Sequence, residues 1–101
     1  MKLSVVERLV LLELLPKEGS FANLKLLRIA RESLSFDEEE NKALNIHQEG
    51  DRVIWNNNVN IIKDVTIGEV ATQMIVKELE KLDKEENLKE EHLSLFEKFC
   101  S

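Results

Sequence analysis

The chain has 101 residues, 43% of them apolar and 34% charged, with a formal net charge of −6, one proline and one cysteine. That balance suits one folded domain and argues against disorder. It excludes an internal disulfide, and no apolar run is long enough to span a bilayer, since Glu13 breaks the most apolar segment, residues 9–15. The expected fold is mainly α, with about five helices and one β-hairpin in a single domain, 1–101. Residues 1–56 would hold three helices and the hairpin, and residues 66–100 an antiparallel C-terminal helix pair.

Four helix starts share one signature, a capping residue with Glu three positions later: Ser4 and Glu7, Ser35 and Glu38, Thr66 and Glu69, Asn87 and Glu90. The cap side chain accepts from a free first-turn N–H, and the Glu reaches back to the cap's own N–H. The first helix is expected over about residues 5–15. Val6, Leu9, Val10 and Leu14 form its stripe, and further apolar residues widen it almost all round, so it is expected to be the most buried helix. Pro16 ends it. Ser20 caps a second helix over about 21–34, with Leu24, Leu27 and Leu34 facing the core, helped by Ile29 and Ala30. A short third helix follows Ser35, anchored by Phe36, Ala43 and Leu44.

Gly50-Asp51 suits a two-residue type II′ turn. It pairs Glu49 with Arg52, Gln48 with Val53, His47 with Ile54, and Ile46 with Trp55. Alternation places Ile46, Val53 and Trp55 on the face toward the helices, with Trp55 largely buried. Ile61, Ile62 and Val65 suggest a further short extended piece. The fourth helix, about 67–82, has the cleanest stripe in the chain: Val70, Ala71, Met74, Ile75 and Leu79 between Ile67 and Leu82. The fifth covers about 88–100, with Leu88, His92, Leu95, Phe96 and Phe99 on one face.

Little in this pattern points to chemistry. His47, His92 and Cys100 match no zinc spacing, so no cofactor or metal is expected. Asp37, Glu38, Glu39 and Glu40 stand together, but at a helix start, where the macrodipole favours negative charge. No serine or cysteine has a nucleophile's setting and no glycine-rich phosphate loop is present. An enzyme is therefore not expected. Glu7, so early in the chain and with no small-residue cleavage site after the apolar run, argues against a signal peptide, and a cytoplasmic location is expected.

Charge bears on partners. Residues 1–34 carry six basic and four acidic side chains, residues 35–101 eight and sixteen. Such a field opposes a phosphate backbone except at the first third of the chain.

The segment SVVERLVLLELLPKEGSF, followed by two more helices and a hairpin, resembles the start of winged-helix regulators. That resemblance implies DNA binding, with the third helix in the major groove and the hairpin on phosphates; Lys25, Arg28, Arg31 and Arg52 would be the contacts. The third helix, SFDEEENKAL, has the wrong sign for that task. The chain as a whole also resembles small uncharacterised proteins of phages and prophages, which implies a modulator or inhibitor of a host protein, mimicry of DNA charge being one form. The main expectation is a non-enzymatic protein-binding module. The alternatives are the DNA-binding regulator and an assembly protein that dimerises through its C-terminal helices. The expected interface residues are Leu93, Phe96 and Phe99, because the last helix is apolar on more than one side. The competing expectation is that both C-terminal helices simply pack on the buried first helix.

Overall fold

The computed structural model describes residues 1–100. A two-residue strand β1 (Lys2–Leu3) leads into α1 (Val5–Leu14), α2 (Phe21–Leu34) and α3 (Glu38–Leu44). A hairpin follows, β2 (His47–Glu49) and β3 (Arg52–Ile54), then strand β4 (Lys63–Asp64), α4 (Glu69–Lys84), a 3-10 turn (Glu90–His92) and α5 (Leu93–Cys100). The protein is thus mainly helical with a β-hairpin, as expected. The hairpin register is also as expected: His47 opposite Ile54, Gln48 opposite Val53, Glu49 opposite Arg52. Positive φ at Gly50, and not at Asp51, is the pattern of a type II′ turn. One further backbone bond, from the Asn56 N–H to the Leu44 carbonyl at 2.7 Å, ties the hairpin to the end of α3. The extended piece near residue 62 proves to be β4, which pairs antiparallel with β1 and so joins the chain's start to the entry of α4.

Only one of the four capping signatures acts as expected. Ser4 and Glu7 form a full capping box on α1. On α3 the box lies two residues later, at Asp37 and Glu40, so the first and last carboxylates of the acidic run serve the backbone. Gly68, without a side-chain cap, starts α4. Before α5 the Lys89 N–H donates to His92 Nδ1 at 2.9 Å, replacing the expected Asn87–Glu90 pair. A capping signature states only that an N–H can be met locally; where several acceptors crowd one start, tertiary position selects among them.

The core draws on every helix: Leu11 and Leu15, Leu27 and Leu34, Ile75 and Leu79, and Leu95, with Leu3 and Val65 from the β1–β4 region. Leu44 of α3 is also fully buried. α1 touches α2, α4 and the 3-10 turn, while α4 packs on α2 and α5. Expectations for the faces of four helices need correction; in α3 and α4 they concern single residues, Ala43 and Val70, which are exposed. In α2 Leu24 and Ile29 point outward, and Leu27, Ala30 and Leu34 form the buried face. In α1 the buried set is Val5, Glu7, Arg8, Val10 and Leu11, whereas Val6 is exposed and Leu9 half-buried. The helix is therefore not buried all round. It inters two charges and turns apolar side chains outward.

Arg8 makes that inversion possible. Its side chain is fully enclosed. Nε donates to the Leu34 carbonyl at 3.1 Å and Nη2 to the Ser35 carbonyl at 2.6 Å. A two-pronged pair with Glu40 has distances of 2.6 and 3.1 Å, and the guanidinium lies 3.9 Å from the Phe36 ring centre. One side chain thereby caps α2, orients α3 and satisfies its own donors. On the other flank of α1, Lys98 of α5 donates to Glu7 Oε1 and to the Lys2 carbonyl, both at 2.8 Å.

Candidate protein-docking groove

Because α1 spends its buried arc on Arg8 and Leu11, with Leu15 just after it, Val6 is left exposed and Leu9 half-buried, while Leu12 packs partly against the core. The hairpin stands opposite. Alternation along β3 aims Val53 toward α1, and Trp55 follows on the same side. Between the two elements lies a groove of about 380 Å³, with Val10 among its lining residues. Its rim carries Glu13, Asp51 and Glu91 against the single cation Lys17.

Trp55 is half-buried, a correction to the expectation that it is largely covered. Val53 and Trp55 line the groove opposite α1, but Ile54, expected on the outer face, is more covered than Val53, so the hairpin stands off from α1 instead of closing on it. Val53, at 42% exposure, and Val6, at 39%, remain open on the two walls. The groove is within the range of about 300–1,000 Å³ usual for binding pockets. An apolar floor, an indole face and three carboxylates suit an apolar segment flanked by cations, with the indole available to a cation as well.

The expected site residues are dispersed. Leu93 is 54% exposed, so its own chain does not cover it. Phe96 and Phe99 are half-buried and pack against the core; they also border a shallow cleft with Val76, Glu80 and Cys100. Among the basic residues, Lys25 lies 5.4 Å from the Phe21 ring centre, and Arg28 is exposed. Arg31 donates to the Pro16 carbonyl at 2.7 Å, which commits it to the α1–α2 connection. Arg52 is exposed opposite Glu49 on the hairpin.

The titratable groups fit structural tasks. Burial alone would raise the Glu7 carboxyl, but Lys98, the Ser4 N–H and Ser94 together lower it below 4.5. Its Oε2 is enclosed and has no hydrogen-bond partner. The Arg8 hydrogen bonds lower the Glu40 carboxyl against the effect of burial, with help from the Asp37 N–H and Lys63. Burial, then Glu80 and Asp83, push the Cys100 thiol up, which keeps it protonated and slow to react. His47 is exposed on the hairpin, and His92 is buried at the start of α5. Among the described residues no three His, Cys, Asp or Glu side chains gather where they could hold a metal ion, and no helix is long and apolar enough to cross a membrane.

Sequence reasoning did not single out the groove. Its signal was present in Glu13 and Val6, which share the arc of α1 that Arg8 turns to solvent, but reading that arc required knowing that Arg8 is inside. No protein-family model, curated protein or solved structure matches this chain.

Proposed function

We propose that this protein is a non-enzymatic protein-binding module that receives an apolar helix or strand, flanked by Lys or Arg, in the groove between α1 and the hairpin. The carrying observation is the groove itself: exposed Val6 and Val53 and half-buried Trp55 around about 380 Å³, beneath a rim of three carboxylates and one lysine. Burying apolar area supplies affinity, and the carboxylates select for basic flanks and against acidic ones.

The test uses Trp55 as its own reporter, since it is the only tryptophan. Short amphipathic peptides with two large apolar anchors and Lys/Arg flanks should shift its emission to the blue on titration. They should bind more weakly as salt rises, and, followed by calorimetry because the reporter is then gone, lose binding in Trp55→Ala. Equal binding of peptides with Asp/Glu flanks, or no shift with any peptide, would overturn the proposal.

A second reading, DNA binding in the manner of a winged helix, is supported by the element order α1–α2–α3–hairpin. It is opposed by Glu38 and Glu39 in the exposed first turn of α3 and by the engagement of Arg31 with Pro16. Duplex DNA should show no sub-micromolar, salt-sensitive affinity in an anisotropy titration; such an affinity would favour the second reading.

A further inference from the structure

The face of α2 that looks away from the core carries Phe21, Lys25, Arg28 and Ile29, positions that fall on one side of a helix. Phe21 is 78% exposed and Ile29 60%, the most open of the large apolar side chains among the described residues. The Lys25 ammonium lies beside the Phe21 ring, and Arg28 stands between the two apolar anchors in sequence. This stripe has the chemistry the groove calls for: large apolar side chains about 12 Å apart along the helix, accompanied by cations.

The stripe cannot enter the groove of its own molecule. α2 packs on α1 through Leu27 and Leu34, in the same cluster as Leu11 and Leu15, while Phe21 and Ile29 point the opposite way. On the other side of α1 the groove opens along Val6 and Leu9.

We infer that the segment the groove receives is α2 of a second copy of this chain, so that the protein associates with itself head to tail. This rests on the groove reading above. Phe21 and Ile29 meet the apolar floor between α1 and Trp55. Lys25 and Arg28 meet Glu13, Asp51 and Glu91. Glu32, the one carboxylate on the outward stripe, has Lys17 as its counterpart on the rim. Two different surfaces are joined, so each added copy leaves a free stripe at one end and a free groove at the other. Growth then continues past two copies unless the rotation closes a ring. The patches are small for a permanent interface, so assembly depends on concentration and falls with salt.

Sedimentation of the full chain over a range from micromolar to millimolar tests this. The mean mass should rise from that of one 11.7 kDa chain past that of two, and fall back in high salt. K25E/R28E reverses the stripe and E13K/D51K reverses the rim, all at exposed positions. Each double variant alone should stay monomeric, with circular dichroism reporting an intact fold, and an equimolar mixture should regain the mass growth of the parent. Leu93→Asp, away from both surfaces, should assemble like the parent. A parent that is monomeric throughout, while basic peptides still shift Trp55, overturns self-association and leaves the groove reading standing. If no peptide shifts Trp55, it is the groove reading that falls. A mass that stops at two copies, variants whose mixture stays monomeric, or dissociation by Leu93→Asp each overturns the head-to-tail contact.

Discussion

Arg8 is the residue on which the N-terminal half turns. A buried guanidinium is tolerated only if its donors are met, and here two carbonyls, the Glu40 carboxylate and the Phe36 ring do so. Truncation leaves Glu40 without its fork and the Leu34 and Ser35 carbonyls without a donor. Arg8→Ala should therefore cost about 3–5 kcal/mol in urea unfolding. Arg8→Lys should recover little of it, because an ammonium cannot span a carboxylate and two carbonyls at once. A loss below about 1 kcal/mol for Arg8→Ala would show that the network adds little.

The same residues set the response to acid. Glu40 is held below its ordinary 4.5 by Arg8, against burial. In Glu7 burial opposes, and Lys98 with the Ser4 N–H prevails. A carboxyl whose folded pKa is depressed binds fewer protons in the folded than in the unfolded state. Its stabilising contribution is complete above the unfolded value and disappears as pH falls through the folded value. Stability should thus be level in pH with respect to these two groups above about pH 5–6 and decline below about 4.5. Glu40→Gln and Glu7→Gln should each flatten that decline while lowering stability at neutral pH. An unaltered acid slope in both variants would remove them as its cause.

At the scale of elements, the hairpin and α1 differ in how much their sequences disclose. Hairpin register is local: a two-residue turn with glycine at its positive-φ position dictates every pair behind it, and the structure has the three pairs nearest the turn, with Ile46 and Trp55 beyond the paired strands. The buried arc of α1 is not local. Its apolar residues lie almost all round, so periodicity cannot choose an arc, and the deciding partners, Glu40 and Lys98, are 32 and 91 residues away. The usual rule that charges face water then selects the wrong side. Expectations for Leu24, Ile29 and Trp55 fail for a related reason: apolar character alone does not imply burial, because folded surfaces retain much apolar area. With Trp55 half-buried on the groove wall, its emission should lie between the buried and the fully exposed extremes. Trp55→Ala should cost about 1–2 kcal/mol, less than truncation of an enclosed tryptophan. Emission at the fully exposed extreme would mean that the hairpin does not stand against α1 in solution.

At the scale of the whole molecule, the division visible along the sequence, helices and hairpin first and a helix pair last, is crossed by the packing. Leu11 and Leu27 share one cluster with Ile75, Leu79 and Leu95. Among the described residues β1 pairs only with β4, and Lys98 is hydrogen-bonded to both Glu7 and Lys2. Neither part can be withdrawn without exposing the core face of the other, and small domains of this kind unfold in one step. Urea transitions followed by Trp55 emission, which reports the hairpin and α1, should therefore coincide with those followed by far-ultraviolet circular dichroism, which weighs all five helices. Removal of residues 88–101 takes Leu95 and Lys98 from α1 and leaves the N-terminal helices without cooperative unfolding. If the shortened chain instead retains a sharp transition, or the two probes separate in the full chain, the N-terminal helices and hairpin form a self-sufficient unit and the C-terminal pair is an addition to it.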